Sequence, residues 1–527
     1  MLNVELEMTP GVTVPEENSY ARLSRISNMD NSQVQRSVYS VQAGRNEKKG
    51  LGLIPVFGVI TFSIVYMIQF FPENPIANSC FAILITAAYC WGTEFIPSYA
   101  TSYLVAALAV WLRVGYDSTT GFRIPTSKLA VRFANKFMDP IILVFLGSLT
   151  LSSALTKLAI TDRVSKFIMS KISPRPKVVL LTLMLLNFTI SCFLSNVAST
   201  TLTLTFTFPI IRSLDPDDPF IRALLFGLAW SGNAGGMPTT IASPQNILAI
   251  KYINDGSRPP ISFLQWAYFA FPTSLTILLC FWLYLIIIYK PRYSIIPLNT
   301  SKENDFGQWQ WKHSVAVFVS LLTIILWSLQ ETLSNTLGHV GITSLIPVIV
   351  FFGCGILDSS DFGSLRWSTL VLMGGGLALG EAMTVSGLLD IFADIISSKL
   401  QNVSVWLVCV IVMSIEGVLT SVINHTSAAA ILFPVLNKIG EKLNASTQLL
   451  TVSALMISAS QMFHISSFPN ALISGVQRHQ RLDPSKLTPE SFLTGKDYFM
   501  IGWPTVVASL IIISTIGYAI INALGFK

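Results

Sequence analysis

The sequence predicts an all-α polytopic membrane protein made of an inverted repeat, with two re-entrant hairpins, two broken helices and about 11 transmembrane helices. Of its 527 residues, 52% are hydrophobic and only 12% are charged, which is about half the charged content of a typical soluble domain. Many apolar stretches reach the roughly 20 residues needed to cross a bilayer. Four polar motifs interrupt these stretches, and they form two pairs.

The first pair is a polar motif that occurs twice inside apolar sequence. One copy, Ser-Asn-Val-Ala-Ser-Thr, occupies residues 195–200, and the other, Ile-Asn-His-Thr-Ser, occupies residues 423–427. Each copy divides an apolar segment too long for one simple span, 178–212 or 403–436. We expect two re-entrant hairpins, because non-helical backbone at this depth is tolerated only inside protein or beside a wet cavity.

The second pair follows the first at nearly the same offset. The run 231–236, which contains three glycines, leads to Ser-Pro-Gln-Asn at 243–246, and the run 458–461 leads to Ser-Phe-Pro-Asn at 467–470. We interpret each as a broken helix whose proline stops the first half and whose final asparagine caps the second: Pro244 with Asn246, and Pro469 with Asn470. Paired, interrupted helices of this kind are typical of secondary transporters that bind their cargo between two repeats.

Lys and Arg near the segment ends set the predicted orientation. With a cytosolic N-terminus, three cytosolic segments carry four or five Lys or Arg residues each: 161–177, 290–313 and 476–497. The opposite side receives 72–75 and 330–342, which have none. The basic segment 114–140 breaks the rule and is interpreted as an amphipathic helix on the membrane surface. The two hairpins then enter from opposite faces, so the repeats are inverted.

Three further segments have simple interpretations. Residues 1–49 are polar and lack apolar periodicity, which predicts a disordered cytosolic tail without a cleavable signal peptide. Residues 161–173 and 389–400 mix apolar and charged positions at helical spacing. They are interfacial arms or, equally, ordinary amphipathic loops.

The polar motifs offer groups for a buried anion. The first N–H groups of a helix lack partners and carry partial positive charge, and hydroxyls beside them complete an anion cradle. The predicted substrate-binding residues are Asn196, Ser199, Thr200, Asn424, His425, Thr426 and Ser427. Among them, His425 could donate to an anion oxygen.

The same breaks free backbone carbonyls, which can coordinate a small cation such as sodium. The predicted cation-binding residues are Ser195, Asn196, Gly232, Asn233, Gly235, Asn246, Asn424, Ser458, Ser460 and Asn470. Ser, Thr and Gly in membrane helices most often serve helix packing. Four motifs in two pairs favour a binding site over packing alone.

Other polar groups give weaker signals. Glu381 and Glu416 lie deep in apolar segments; either could carry protons, and we favour structural roles. The six cysteines lack metal or disulfide spacing and are interpreted as small buried residues. No Ser/His/Asp set, metal cluster or P-loop occurs in the sequence, which argues against an enzyme.

These motifs resemble the divalent anion:sodium symporter family over about residues 50–525. The resemblance rests on the two Asn-containing tips, the two broken helices that end in Pro and Asn, and Trp-Gly-Thr-Glu-Phe-Ile-Pro at 91–97. Within the family the chain is most similar to the fungal low-affinity phosphate transporters. Dicarboxylate members typically have threonine where this chain has Val197 and His425. The fungal members usually carry an N-terminal SPX domain, whereas this chain has only its short tail.

The resemblance implies an elevator-type homodimer with a scaffold and a transport domain in each protomer. The implied division is a tail (1–49), scaffold (50–140 and 251–367), transport domain (141–250 and 368–475), and a C-terminal loop with the last transmembrane helix (476–527).

The expected function is cation-coupled symport of inorganic phosphate, with sodium or protons as the coupling ion and no resident cofactor. Alternatives are a dicarboxylate or sulfate symporter of the same family, or, from another class, a membrane nutrient sensor with little flux. The expected partners are phosphate, the lipid bilayer and a second copy of the chain, with no nucleic acid. The expected location is the vacuolar or plasma membrane.

Overall fold

The computed structural model describes residues 54–117, 122–169, 171–215, 217–255, 260–292, 295–296, 308–400, 402–476 and 491–525. The predicted tail, 1–49, lies outside the described residues, as do parts of the predicted cytosolic segments 290–313 and 476–497.

The described residues are almost entirely helical. The first half contains α1 (Ile54–Met67), α2 (Pro75–Thr93), α3 (Ser98–Trp111), α4 (Thr126–Asn135), a 3-10 turn (Lys136–Met138), α5 (Pro140–Lys157), α6 (Ile160–Met169), α7 (Pro176–Ser191), α8 (Asn196–Ser213), α9 (Pro219–Gly235), α10 (Pro244–Asn254) and α11 (Phe263–Ile288). The second half contains α12 (Trp311–Ser328), α13 (Gln330–Leu337), α14 (Val340–Thr343), α15 (Ile346–Gly353), α16 (Ser359–Ser364), α17 (Trp367–Val385), α18 (Leu388–Leu400), α19 (Val405–Val422), α20 (His425–Leu443), α21 (Ser446–Ala459), α22 (Phe468–Ser474), α23 (Gly495–Ile512), a π-helical segment (Ile513–Gly517) and α24 (Tyr518–Ala523).

The all-α prediction is wrong in one detail. Strands β1 (Tyr116–Asp117) and β2 (Phe122–Arg123) pair antiparallel, with Tyr116 opposite Arg123. The amphipathic helix predicted within 114–140 is confirmed as α4, which buries Leu129 and Phe133.

The protein is a multi-pass membrane protein. Seven helical stretches among the described residues are long and apolar enough to cross a bilayer: Pro75–Thr93, Thr126–Lys157, Phe263–Ile288, Trp311–Ser328, Trp367–Val385, Val405–Val422 and Gly495–Ala523. The eleven crossings and the inverted orientation stay predictions. Helix length does not distinguish a helix that crosses the bilayer from a hairpin arm or a half-helix, because an arm can be as long as a simple span and a half-helix is shorter.

Both predicted hairpins and both predicted helix breaks are present. Helices α7 and α8 pack together across a four-residue turn (192–195), and α19 packs on α20 across residues 423–424. The first helix break separates α9 from α10 and the second separates α21 from α22. Helix α8 contacts both α9 and α22, and helix α20 contacts both α21 and α10. The second arm of each hairpin therefore touches a broken helix from each repeat.

The two repeats share an unusual turn. Ala159 separates α5 from α6 with φ 51°, and Gly387 separates α17 from α18 with φ 76°. The interval between these two residues in the sequence equals the interval between the two tip asparagines. Left-handed backbone is costly for residues other than glycine, so its recurrence at this spacing supports an internal duplication. Of the segments predicted as arms, 161–173 is helical up to Met169 as part of α6, and 389–400 is helical as part of α18.

Two local predictions are wrong. Pro244 and Pro469 lie in the first turn of the second half-helix rather than at the end of the first. This placement suits proline, since its missing N–H would have no partner there. The residues that cap these helices are Ser243 and Ser467, not the asparagines.

The cysteine prediction also fails in part, because Cys280 and Cys354 are exposed. Apolar segments of membrane helices face lipid as well as the protein interior, so apolar sequence alone does not predict burial.

Candidate functional site

The first hairpin tip is tied to the first helix break. The side chain of Asn196 donates from Nδ2 to Oγ of Ser243 at 3.2 Å. Ser243 precedes Pro244 at the start of α10. Ser199 Oγ donates back to the Asn196 carbonyl at 3.0 Å, which closes the first turn of α8. The tip and the break therefore form one polar surface.

The N-terminus of α8 keeps free donors. Its first backbone hydrogen bond runs from Ser199 N to Ser195 O at 3.0 Å. Ser195 makes no side-chain capping bond, and its buried hydroxyl has no partner among the described residues. The N–H groups of residues 196–198 are thus available to a ligand, at the end of the helix with partial positive charge.

The second tip is different because protein groups occupy its donors. Asn424 Oδ1 accepts from Thr426 N at 3.1 Å, and His425 N donates to Ser466 O at 3.0 Å. His425 Nε2 lies 2.8 Å from the Ser460 carbonyl. A carbonyl only accepts, so Nε2 carries the proton, and Nδ1 of the neutral ring is an acceptor. The prediction that His425 donates to an anion therefore gains no support from this geometry.

The two breaks meet directly. Nδ2 of Asn233, in the last turn of α9, lies within hydrogen-bonding distance of three oxygens of the second break, which its two N–H groups share: Ser467 Oγ at 2.9 Å, Asn470 Oδ1 at 3.1 Å and Gln461 Oε1 at 3.2 Å. Gln245 Nε2, in α10, donates to Ser458 Oγ at 2.8 Å. Groups from the two halves of the sequence thus form one buried cluster.

Two buried amide oxygens in this cluster have no hydrogen-bond partner among the described residues, Asn233 Oδ1 and Asn246 Oδ1. Asn246 Nδ2 donates to the carbonyls of Gly236 and Thr239, both at 2.8 Å, which orients its amide across the break. Neutral oxygen atoms suit a hard cation such as sodium, so both residues fit a sodium-binding role.

The predicted glycines are packing positions. A Cβ atom on Gly232 would contact the Thr200 hydroxyl and lie 3.2 Å from Asn187 Nδ2, and one on Gly235 would lie 2.6 Å from Ser191 Cβ. The carbonyl of Gly232 already accepts from Ser191 Oγ at 2.8 Å. The close approach of α9 to the first hairpin explains both glycines. This agrees with helix packing, the role that small residues most often have in membrane helices.

The remaining predicted residues lie around this cluster. Thr200 Oγ1 faces Asn187 at 3.3 Å and is turned toward α9. Thr426 and Ser427 are buried at the second tip. The hydroxyls of Ser458 and Ser460 donate to carbonyls of their own helix.

The hydrogen bonds of this cluster join neutral groups only. Glu381 lies elsewhere, paired with Arg132 and Lys136 of the α4 region, which fits the structural role expected for it. Among the described residues, no group of three His, Cys, Asp or Glu side chains is placed to hold a metal ion. An anion here would be held by backbone N–H groups, amides and hydroxyls.

Sequence analysis missed several members of the cluster: Asn187, Ser243, Gln245, Gln461 and Ser467. A serine just before a proline-containing helix start is a capping signal, and it would have identified Ser243 and Ser467. Asn187, nine residues before the tip, is an asparagine inside an apolar run, and this signal would have indicated an inward-facing side chain.

The model of a family described as citrate transporter matches residues 81–416 of the chain. The chain is 29% identical over 471 residues to the inorganic phosphate transporter PHO87 of Saccharomyces cerevisiae, an alignment that covers 88% of this chain and 49% of the relative. It is 25% identical over 486 residues to the sodium-dependent dicarboxylate transporter SdcS of Staphylococcus saprophyticus, an alignment that covers 85% of this chain and 91% of the relative. The chain spans about half the length of the fungal relatives that it matches.

The fold also resembles a solved structure, that of the Alcanivorax borkumensis YdaH transporter. The TM-score is 0.50 at 13% identity, and the alignment covers 82% of this chain and 98% of that chain. The matches to the family model, to PHO87 and to SdcS confirm the predicted resemblance to the divalent anion:sodium symporter family. Because the family model covers more than half of the chain, this protein belongs to the citrate transporter family, whose members are membrane transporters rather than enzymes.

Proposed function

We propose that the chain is a secondary active transporter of inorganic phosphate, coupled to sodium or protons. The observation that carries this proposal is the buried cluster where both hairpin tips and both helix breaks meet. It combines the free N–H groups at the start of α8 with the partnerless amide oxygens of Asn233 and Asn246. The first groups suit an anion and the second suit a cation.

Coupling has a physical basis in this arrangement. A phosphate ion carries one or two negative charges, and holding it in a low dielectric without a counter-charge is costly. The hydrogen-bonded groups of the cluster include no Lys or Arg that could neutralise it. A co-bound cation offsets that cost, so anion and cation would bind and move together.

The choice of phosphate rests on two supports. One relative is named an inorganic phosphate transporter, and the chain has Val197 and His425 where dicarboxylate members typically have threonine. The alternative cargo is a dicarboxylate, supported by the relative named a sodium-dependent dicarboxylate transporter.

For the transport cycle we propose an elevator movement of 141–250 and 368–475 against a scaffold of 50–140 and 251–367 in a homodimer. All the hydrogen bonds that join tips and breaks fall inside the two moving ranges. Ion pairs cross the proposed boundary, from Glu381 to Arg132 and Lys136 and from Lys157 to Asp358. We place the protein in the vacuolar or plasma membrane with a cytosolic N-terminus.

The test is uptake into proteoliposomes that contain the full chain, with imposed sodium or proton gradients and labelled phosphate, succinate or sulfate. We expect phosphate to accumulate, and Asn196→Ala and Asn424→Ala to weaken apparent phosphate affinity by about 5- to 150-fold, the equivalent of about 1–3 kcal/mol for a lost buried partner. The control is Asn437→Ala, since among the described residues the Asn437 amide bonds only Glu441. Uptake of succinate or sulfate that phosphate does not inhibit would reject phosphate as the cargo. An intact protein without flux would support the sensor alternative.

A further inference from the structure

Glu416 is a buried carboxyl group outside the polar cluster. It lies in α19, eight residues before Asn424, the residue that caps the second arm of its hairpin. Counted back from the residue that caps the second arm, Asn187 has the same place before Ser195 in the first hairpin, one position away from the register that aligns Asn196 with Asn424. Both side chains are almost completely buried, with 1% of Glu416 and 0% of Asn187 exposed.

The two matched side chains differ in their hydrogen bonds. Asn187 Nδ2 donates to Leu228 O at 2.8 Å and to Ser231 Oγ at 3.0 Å, so its amide joins the first hairpin to α9. Neither carboxyl oxygen of Glu416 has a hydrogen-bond partner among the described residues. The hydroxyl of Ser453, on α21, lies beside the carboxyl without meeting hydrogen-bond geometry.

No cationic side chain faces this carboxyl from the described elements packed on α19, which are α20, α21, α23 and the π-helical segment. Helix α21 and the π-helical segment contain no charged or titratable residue. In α23, Val506 packs near Gly417, and the titratable residues lie roughly three turns away at the helix start: Lys496, Asp497 and Tyr498. On α20 the other titratable groups are His425, which is held by Ser460, and three residues near the far end of the helix: Lys438, Glu441 and Lys442. On α19 itself, Cys409 lies two turns before Glu416, and Tyr518 of α24 lies beside Cys409.

A buried carboxylate with no cation and a single hydroxyl beside it is costly by several kcal/mol, so the carboxyl is neutral while it is enclosed. A neutral carboxylic acid group has nearly the shape of an amide group such as that of Asn187. Unlike an amide, it can release its proton when water reaches it. A group that is neutral when enclosed and charged when wet has the property a proton carrier requires.

We propose that Glu416 is a proton-binding site, separate from the polar cluster, and that it makes the proton the coupling cation. This inference rests on the proposed function as a transporter. The carboxylate takes a proton from water on one side of the membrane, forming an O–H bond. The neutral hairpin moves together with bound phosphate, and the proton and the phosphate return to water on the other side. The emptied carrier then returns with the carboxylate ionised and in contact with water, so each cycle carries one proton and leaves the carboxylate as it began.

The test compares wild-type protein with Glu416→Gln in proteoliposomes. The amide keeps the size of the side chain and cannot bind or release a proton in this range. We expect Glu416→Gln to retain phosphate counterflow, because exchange needs no net proton movement. Under a pH gradient, we expect the variant to accumulate at least tenfold less phosphate than wild type. The distribution of phosphate between its two charge forms is the same for both proteins. Glu416→Asp should keep the response to the gradient, and the control Glu441→Gln, at an exposed carboxylate paired with Lys438, should do so as well.

Accumulation by Glu416→Gln equal to that of wild type would overturn the proposal and leave a packing role. If the variant does not fold, wild-type protein still decides, because phosphate accumulation that follows a sodium gradient and ignores a pH gradient also overturns it. Absence of phosphate counterflow in intact wild-type protein would instead reject the proposed function.

Discussion

Replacing Asn233 by alanine removes the side chain that joins the two helix breaks. Its Nδ2 atom lies 2.9 to 3.2 Å from three acceptor oxygens, and the residue is 1% exposed. The amide carries two N–H groups, so it donates two full hydrogen bonds among these acceptors. Each buried hydrogen bond contributes about 1 kcal/mol net, so the loss is about 2 kcal/mol. Since about 1.4 kcal/mol corresponds to a factor of ten, a loss expressed fully at the site weakens binding by roughly 30-fold.

The assay is phosphate-concentration dependence of uptake in proteoliposomes, together with the melting temperature of the purified protein. We expect the apparent phosphate affinity of Asn233→Ala to fall by one to two orders of magnitude, because both the assembly of the breaks and the amide oxygen offered to the cation are lost. Asn437→Ala serves as the matched control. An Asn233→Ala protein with affinity within twofold of wild type and an unchanged melting temperature would refute the reasoning.

Two further predictions concern packing and pH. Gly232→Ala should destabilise the protein by about 1–3 kcal/mol, because the added methyl group overpacks the contact with Thr200 and Asn187. The control is Gly353→Ala, where the added methyl group would meet no neighbouring group within 4 Å. Equal melting temperatures for the two variants would contradict the prediction. Burial raises the pKa of Asp162, in α6, to about 6 from 3.8. The folded state therefore binds the proton more tightly than the unfolded state, and this burial costs stability as pH rises from about 4 to about 6. Asp162→Asn should be more stable than wild type at pH 8, by up to about 3 kcal/mol, and equal to it near pH 4; an equal difference at both pH values in thermal unfolding would contradict this.

The polar interruptions could be predicted from sequence because they conflict with their surroundings. An asparagine, serine or glycine inside a long apolar run is costly unless it has a role, and its recurrence at the matching place in the second half makes chance improbable. The hairpin turns at Asn196 and Asn424 followed from segment length together with the polar motifs, since each apolar run is too long for one span and the motif marks where it is divided. These signals are local and need no knowledge of the packing.

The bonds between motifs could not be predicted in the same way. His425 is held by the carbonyl of Ser460, which is 35 residues away, and Asn233 is held by Ser467, 234 residues away. Both depend on which helix faces meet. Backbone carbonyls carry no sequence signature, so the difference between an open first tip and an occupied second tip is visible only in three dimensions.

The most direct test of the central claim, that the two helix breaks meet in one site, is a disulfide between them. In a chain whose six native cysteines are replaced, Asn233→Cys is combined with Ser467→Cys. The native Nδ2 of Asn233 and Oγ of Ser467 lie 2.9 Å apart. A disulfide requires Cα atoms about 4.4–6.8 Å apart. We predict cross-linking by a mild oxidant that a reductant reverses, read as a gel-mobility shift of the purified protein. Asn233→Cys combined with Gly353→Cys should not cross-link. Failure of the first pair to cross-link in a protein that elutes from size-exclusion chromatography like wild type would contradict the account.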